Sequence, residues 1–323
     1  MAYKNTVYQK AINVLERRRE RATLEANSRM IEISQKLPEI DEIQKKLSAI
    51  GFSISKLFFH KGNREDEVNK LRKASLALQK EKKEILVKNG YDEDALTTKF
   101  FCPVCSDTGY YNDRMCNCHK ELLKEIERDS LRKIAPLDEC TFDTFDTRYY
   151  PETSLENGIS PKEKAEKILN SCRMYAQSFN SHSPNLMFMG KTGLGKTHLS
   201  LAIANVAINK GYSVVYGTSQ NILSDLQNEN FGRTDRLFYE EYDVLHADLL
   251  IIDDLGTEYK NQYTVACLYN IINTRILRKK PTIISTNYDF DKFNEIYDMR
   301  ITSRIAGEYS TLILEGNDIR YIK

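Results

Sequence analysis

One stretch of the sequence has the composition and spacing of a phosphate-binding loop. It fits the pattern G-x-x-x-x-G-K-[ST] and consists of Gly190, Lys191, Thr192, Gly193, Leu194, Gly195, Lys196 and Thr197. In such a loop the backbone N–H groups surround a polyphosphate, the lysine reaches the β- and γ-phosphates, and the threonine hydroxyl binds Mg²⁺. The motif therefore predicts a nucleoside triphosphate such as ATP, with Mg²⁺, as the ligand.

A pair of acids supplies the second half of the predicted site. Asp253 and Asp254 follow an apolar run at 249–252, so they emerge at the carboxyl end of a buried strand, where ligands bind in open α/β sheets. Asp253 is expected to hold Mg²⁺, directly or through water, and Asp254 to polarise the attacking water as a general base. Asn287, at the end of another apolar run, can orient water or sense the γ-phosphate. Its alternative role is to cap the next turn.

Four of the seven cysteines form two short-spaced pairs that predict a metal site. Cys102 and Cys105 are followed, after ten residues, by Cys116 and Cys118. Two such pairs can converge on one tetrahedral Zn²⁺, and a loop too small to bury a core takes its folding energy from the metal. Four sulfurs are the preferred ligand set, and His119 is the alternative to Cys118. A closed four-ligand site leaves no place for water, so the predicted role is structural.

The elements that must position these residues alternate between strand and helix patterns. An apolar run at 186–189 precedes the loop, and a helical pattern at 198–208 follows it. Further strands are predicted at 212–218, 249–252, 281–287 and 311–314, and further helices near 221–227, 233–245 and 262–277. Strands that alternate with helices predict a parallel sheet covered on both faces.

Residues 1–98 are strongly charged and have almost no strand pattern. Helices are predicted at 10–30, 39–50 and 65–87, with Pro38 at the start of the second and Gly51 breaking it. Two interpretations are open, a helical hairpin that packs on itself and a helical module that docks on a partner. We expect two domains, at 1–135 with the zinc loop at about 100–120, and at 136–323.

Composition and charge exclude several classes of protein. The sequence is 41% hydrophobic and 29% charged, and it has no apolar run near the ~18 residues of a membrane span and no signal-peptide core. We therefore expect a cytoplasmic protein without a membrane partner. The net charge of +1 attracts nucleic acid only weakly, so DNA binding would need a local basic groove, for which Lys210, Arg233 and Arg236 are candidates.

Together these motifs resemble those of AAA+ ATPases of the DnaC/DnaI/IstB group, and most closely the bacterial replicative helicase loaders. The matching segments are 141–146, 190–197, 249–256, 285–287 and 299–305. The resemblance covers about residues 140–323, whereas residues 1–135 resemble the zinc-bearing modules of Gram-positive-type loaders more loosely. It implies an α/β fold, a P-loop ATPase with a five-stranded parallel sheet in the order 5-1-4-3-2 and helices on both faces, preceded by an α-helical module.

The resemblance also implies roles for arginines that spacing alone does not reveal. Arg304 would act as an arginine finger on the nucleotide of a neighbouring subunit, a contribution worth ~10³–10⁵ in rate. Arg300, one helical turn earlier, is a weaker candidate. Arg320 resembles a sensor-2 arginine acting in cis, although the few residues after the last strand leave no room for the helical lid of many AAA+ proteins. The alternative for all three is a solvated surface position.

What the resemblance implies for function is an ATP-dependent loader. Residues 1–135 would hold a replicative DnaB-type helicase hexamer, the AAA+ domains would associate side by side, and the assembly would grip single-stranded DNA. Its ATPase activity is expected to be weak alone and stimulated by partners. The alternatives are a transposition helper ATPase of the IstB type, a metabolic P-loop kinase and a non-catalytic nucleotide switch. A helper is expected to lack the module with paired cysteines.

Overall fold

The charged N-terminal region folds into long helices and a small hairpin. The computed structural model describes residues 3–58, 65–153, 158–232 and 239–321. Contacts within the chain divide it into two compact units. The first comprises residues 12–118, and the second comprises residues 1–11 together with 119–323. The first unit contains most of α1 (Asn5–Lys36), then α2 (Pro38–Phe58), α3 (Glu65–Lys88) and an antiparallel hairpin of β1 (Tyr110–Tyr111) and β2 (Arg114–Met115).

Helices α2 and α3 pack against each other beside a small apolar cluster. Ile33, Ile40 and Leu86 are buried in that cluster. Pro38 begins α2, where its missing N–H is not needed. The prediction that Gly51 breaks this helix is wrong, because α2 continues past it. Gly51 is exposed with open space around its Cα, and a glycine inside a helix costs only about 1 kcal/mol relative to alanine.

In the second unit, apolar runs alternate with helices along the chain. Its elements are α4 (Asn117–Arg132), α5 (Pro161–Ser178), β3 (Asn185–Met189), α6 (Lys196–Asn209), β4 (Val214–Thr218), α7 (Ser219–Asn230), α8 (Glu241–His246), β5 (Leu249–Leu255), α9 (Gln262–Leu277), β6 (Thr282–Thr286), α10 (Phe290–Ile296), α11 (Met299–Glu308) and β7 (Tyr309–Ile313). A short 3₁₀ turn, Ile319–Tyr321, follows β7. Among the described residues, none of the helices is long and apolar enough to cross a membrane.

The five strands of this unit form one parallel sheet in the order β4–β5–β6–β3–β7. Counted from β3, this order is 5-1-4-3-2, so the predicted sheet is confirmed. Alternate residues of β3 point to opposite faces. Leu186 and Phe188 join one apolar cluster, whereas Met187 and Met189 join the other. Both faces of the sheet are therefore covered, which is why its strands are continuous apolar runs.

Element boundaries differ from the predicted ones where strand pairing decides them. The last strand begins at Tyr309 rather than 311, because Tyr309 pairs with Asn185 at the start of β3. Of the helix predicted over 233–245, the described residues form a helix only from Glu241, as α8, and residues 233–238 lie outside the described ranges. Helix α9 has the predicted bounds.

Helix α4 lies in the C-terminal unit, although the predicted domain boundary is at 135. Leu122, Leu123 and Leu131 are buried on one face of this helix. Glu127, on the same face, accepts a hydrogen bond from the backbone N–H of Val214 over 2.9 Å. Because β4 is an edge strand, this contact satisfies a donor that the sheet leaves open. The boundary between the two compact units thus lies after Cys118. The boundary between functional domains at 135 stays a prediction.

Glu127 makes the stability of the fold depend on pH. Burial is the main reason that its pKa is raised from an ordinary 4.5 to about 7. The folded chain therefore holds this proton more tightly than the unfolded chain does. The stability gained from protonation is present below about pH 4.5 and is lost as the pH rises to about 7.

Glu127→Gln should raise the free energy of unfolding at pH 8 by about 1–3 kcal/mol and change it little at pH 5. Glutamine still offers an acceptor to Val214 but cannot ionise. Urea titrations at the two pH values measure the difference. Glu125→Gln, at an exposed position of the same helix, is the matched control. An equal effect of Glu127→Gln at both pH values would contradict a buried charge.

Candidate nucleotide site and metal centre

The phosphate loop joins the carboxyl end of β3 to the first turn of α6. Gly190, Gly193 and Gly195 have φ values of 138°, 74° and 78°, which glycine adopts without strain. A Cβ at Gly193 would overlap the carboxylate of Asp318, and one at Gly190 would overlap the carbonyl of Leu314. The loop leads directly into the N-terminus of α6, where free N–H groups and the helix dipole favour anions.

Lys196 is held inside this loop. Its side chain is buried, with the residue 5% exposed. The Nζ atom donates to the carbonyls of Gly190 and Lys191, each over 2.8 Å, and to Oδ1 of Asn287 over 2.7 Å. Burial lowers the pKa of Lys196. The contact with Asn287 brings together the loop and the end of β6, two positions that were predicted from separate motifs.

Asp253 is buried at the end of β5 and accepts hydrogen bonds from three hydroxyl groups. Thr197 Oγ1 lies 2.9 and 3.1 Å from its two carboxylate oxygens, Tyr216 OH lies 2.9 Å from Oδ2, and Ser285 Oγ contacts Oδ1. Thr197 and Asp253 thus present adjacent oxygen atoms, which are the ligands that Mg²⁺ prefers. Tyr216 and Ser285 were missed from the sequence. The available signal was their position near the carboxyl ends of the strands that flank β5.

Asp254 has an unusual backbone conformation. Its φ of 51° lies in the left-handed region, which residues other than glycine rarely adopt. The pairing of β5 with β6 shifts register between Ile252 and Leu255, and such a bulge redirects the side chain. Asp254 N–H donates to Ser285 Oγ over 2.9 Å, and its carboxylate lies 3.4 Å from Nδ2 of Asn287.

The surroundings of Asp254 suit a proton acceptor. Burial, followed by the charge of Asp253, raises the pKa of Asp254. A carboxylate with a raised pKa is a better base, provided that it is ionised at the working pH. The side chain of Asn287 bridges Lys196 and Asp254, so the predicted lysine, base and polar sensor lie together at one edge of the sheet.

A cavity of about 720 Å³ adjoins the phosphate loop. Its lining includes Pro151, Leu194, Leu314 and Gly316, together with Lys191 from the loop. The mixture of apolar walls and few polar groups is typical of a small-molecule site. The cavity has room for the base and ribose of a nucleotide whose phosphates occupy the loop.

The predicted arginine of the C-terminal turn lies near the loop but is paired. Arg320 Nη2 lies 2.6 Å from a carboxylate oxygen of Asp318, and Arg320 Nε and backbone N–H also donate to that carboxylate. The same carboxylate packs over Gly193. Arg320 is therefore connected to the loop indirectly, through the carboxylate of Asp318.

The two arginines predicted on α11 differ from each other. Arg300 is exposed and pairs with Asp298, with 2.8 Å between Nη2 and Oδ2. Arg304 is half-buried. Within the described ranges, Arg304 makes no hydrogen bond or ion pair, and neither arginine contacts the phosphate loop of its own chain.

The four predicted cysteine ligands converge. The sulfurs of Cys102, Cys105, Cys116 and Cys118 all lie within 4.8 Å of one another. The Cys102–Cys116 and Cys105–Cys118 separations are 3.8 and 3.4 Å. Sulfurs bound tetrahedrally to zinc at about 2.3 Å lie about 3.8 Å apart, so the cluster fits this ion.

Backbone contacts hold the cysteine loop in shape. Asp107 is buried and accepts hydrogen bonds from the N–H groups of Phe101 and Cys102, each over 2.9 Å. Backbone N–H groups of Cys105 and then Val104 lower the pKa of the Cys102 thiol to about 7, which favours the thiolate that binds metal.

His119 is placed differently from the four sulfurs. It is buried, and its ring meets Tyr8 edge-on with 6.3 Å between the ring centroids. The ligand atoms that converge among the described residues are those of the four cysteines. This arrangement favours four sulfurs over the alternative in which His119 replaces Cys118.

Of the three basic residues considered for a DNA path, Lys210 alone lies in the described part of the chain. Lys210 donates to the carbonyl of Gln177. Arg233 and Arg236 lie outside the described residues.

The C-terminal unit is similar to known ATP-binding proteins. Residues 161–306 match the family model of IstB-like ATP binding proteins. The replicative helicase loader DnaC of Escherichia coli K12 is 29% identical over 154 residues, which are 47% of this chain and 62% of that protein. The DnaC loader of Buchnera aphidicola subsp. Acyrthosiphon pisum is 28% identical over 178 residues, covering 54% and 72%. The chain thus spans less than two thirds of the E. coli loader.

Two solved structures match parts of this chain. The crystal structure of the DnaC helicase loader gives a TM-score of 0.46 at 22% identity and covers 56% of this chain and 99% of that one. AMPPCP-bound DnaA from Aquifex aeolicus gives 0.43 at 21% identity, covering 57% and 52%.

The sheet order, phosphate loop and strand-end acids define a P-loop ATP-binding protein of the AAA+ class. The family match narrows this class further. Residues 161–306 match the IstB-like ATP binding proteins, and the chain is similar in sequence to the DnaC loaders.

Metal analysis of the purified full-length chain should find about one zinc ion per molecule, because one four-sulfur cluster is present. Cys102→Ser combined with Cys105→Ser removes half of the ligands and should abolish zinc binding. Cys267→Ser, at a half-buried cysteine outside the cluster, is the matched control and should leave the zinc content unchanged. A folded wild-type chain without metal would rule out the zinc site.

Proposed function

We propose that this chain is an ATP-dependent loader that places a replicative DnaB-type helicase hexamer on single-stranded DNA at the initiation of replication. The observation that carries the proposal is the convergence of Lys196, Thr197, Asp253, Asp254 and Asn287 at one edge of the sheet. This edge belongs to a domain that is similar in sequence to proteins named replicative helicase loader DnaC.

Each residue at this edge has its own role in the proposed ATP hydrolysis. The loop N–H groups and Lys196 bind the β- and γ-phosphates. Thr197 and Asp253 would hold Mg²⁺, which supplies positive charge to the phosphates when bound. Asp254 accepts a proton from the attacking water, and Asn287 orients that water. Phosphate oxygens at the loop compete with Asn287 for Lys196, so Asn287 changes its partner when ATP binds.

The arginines support a site that is completed by a neighbouring copy. Arg304 is half-buried and makes no polar contact within the described part of its own chain, which leaves it available to a neighbour's γ-phosphate. Arg320 is held by a charge-assisted pair with Asp318, so a direct role in cis requires that pair to open. Self-association would therefore be needed for full activity, and activity would be weak in isolated chains.

The first unit is the proposed helicase-binding module. Its α2–α3 hairpin has a small core, and large apolar side chains such as Phe52 and Leu76 are exposed on it. These exposed side chains would serve as apolar anchors for the proposed protein partner. The zinc centre has no open ligand position for chemistry and would stabilise this module. Loading of a replicative helicase further implies a cytoplasmic protein.

A transposition helper of the IstB type is the second candidate, because the matching family model is that of IstB-like proteins. Both candidates use the same nucleotide site. The unit of residues 12–118 with its cysteine cluster favours the loader.

Arg304→Ala should leave ATP binding intact and reduce the turnover of assembled protein by about 10³. Asp254→Ala should also be inactive, since it lacks the base. A mixture of the two variants should regain part of the activity, because an Arg304→Ala subunit can receive the arginine of an Asp254→Ala neighbour. Steady-state ATPase assays across mixing ratios measure the rescue. Arg300→Ala, one turn away, is the matched control, and absence of rescue would argue against a shared site.

The full chain with ATP should increase the amount of replicative helicase retained on circular single-stranded DNA. Lys196→Ala should lose ATP affinity by at least about tenfold and lose loading, because it lacks the ammonium that contacts the phosphates. The Cys102→Ser, Cys105→Ser variant should keep ATP binding and lose helicase binding. A wild-type chain that binds ATP but recruits a transposase rather than the helicase would favour the helper.

A further inference from the structure

A buried carboxylate that the proposed chemistry does not use lies just beyond the acid pair. Glu258 is 7% exposed. One of its oxygens accepts hydrogen bonds from Ser219 Oγ over 2.7 Å and from Gly256 N over 2.8 Å, and the other accepts one from Tyr297 OH. The donors come from the start of α7, the turn after β5 and the residue after α10. Since a buried charge requires hydrogen bonds, Glu258 holds these three segments together.

On one side, Glu258 is fixed to the turn that carries the proposed base. Ser219 Oγ also lies 3.1 Å from the carbonyl oxygen of Asp254. Gly256 has a φ of 115°, and a Cβ there would overlap the ring of Tyr288. Tyr288 OH donates to the Gly256 carbonyl over 3.2 Å. The turn is therefore tightly packed, so a displacement of Asp254 is passed to Glu258.

On the other side, Glu258 is fixed to the start of α11. Tyr297 is 4% exposed, and the next residue, Asp298, is the N-cap of α11. Lys260 Nζ lies 4.7 Å from the ring centroid of Tyr297, which adds a cation–π contact from the same loop. Helix α11 carries Arg304. The hydroxyl of Tyr297 thus connects the turn after the acid pair to the helix of the predicted arginine finger.

We propose that Glu258 and Tyr297 are positioning residues that couple the nucleotide site of a chain to its own α11. ATP binding displaces the Asp254 turn, Glu258 and Tyr297 transmit this displacement, and Arg304 is placed for the neighbouring subunit. The inference rests on the proposed function, since it takes ATP to bind at the loop and Arg304 to act in trans. In an assembly, occupancy of one site would then set the competence of the next.

Amide hydrogen exchange of the full chain, with and without ATPγS and Mg²⁺, tests the coupling. In the wild type we expect nucleotide to change exchange both at 190–197 and at 298–308. Tyr297→Phe removes one hydroxyl and should keep the response of the loop, with ATP affinity within about twofold. It should lose the response at 298–308. Tyr175→Phe removes a hydroxyl that donates to Pro184 O over 2.9 Å away from the site, and it is the matched control.

Mixed assemblies provide a second readout. Asp254→Ala chains bind ATP and should rescue the turnover of Arg304→Ala chains. Adding Tyr297→Phe to the Asp254→Ala chain should reduce that rescue by about tenfold or more. Adding Tyr175→Phe should not reduce it. Glu258→Gln, which keeps an acceptor and loses the charge, should weaken the rescue less than Tyr297→Phe combined with Glu258→Ala.

The outcomes separate the coupling from the proposed function. A Tyr297→Phe chain whose residues 298–308 respond to nucleotide as in the wild type, or that rescues fully when combined with Asp254→Ala, overturns the coupling. Loss of the loop response in Tyr297→Phe also overturns it, because the hydroxyl would then support the nucleotide site itself. A wild-type loop that does not respond to ATPγS overturns the proposed function, and the coupling with it.

Discussion

The carboxylate of Asp253 is the point on which the nucleotide edge of the sheet depends. A buried anion must be matched by hydrogen bonds, and those of Asp253 come from the hydroxyls of Thr197, Tyr216 and Ser285. These three residues belong to α6, β4 and β6, so one charge fixes a helix start and both strands that flank β5. Lys196, next to Thr197, is placed by the same arrangement. Removing this charge would leave three hydroxyls without their acceptor and release the edge as a whole.

Much of this arrangement was predictable because its residues belong to contiguous sequence motifs. The loop, the acid pair and the paired cysteines each lie within a few residues, and apolar runs separated by helices imply a parallel sheet. Tyr216, Ser285 and Glu258 could not be recognised in this way. Their importance comes from sheet register and from turns that bring distant segments together, for example the pairing of Thr218 with Asp253. The sequence pattern also misjudged Gly51, since one glycine costs a helix only about 1 kcal/mol relative to alanine.

Charge pairing among the arginines follows a local rule. Three times in the described chain an aspartate accepts both the backbone N–H and the guanidinium of the arginine two residues later: Asp146 with Arg148, Asp298 with Arg300, and Asp318 with Arg320. Such pairs are properties of a turn or helix start and, being exposed, contribute little stability. Arg304 lies in the middle of α11 and has no aspartate in this position, so the same rule leaves it uncommitted. Arg300 and Arg320 are each paired with an aspartate, whereas Arg304 is not paired within the described residues. The spacing of the three arginines in the sequence does not reveal this difference.

The contacts of Lys196 have a consequence for how tightly this chain can hold its ligand. Its ammonium has three oxygen partners within the protein, and Asp253 accepts hydrogen bonds from three hydroxyls. Binding therefore exchanges one complete set of hydrogen bonds for another, and the net gain is the difference between two satisfied states.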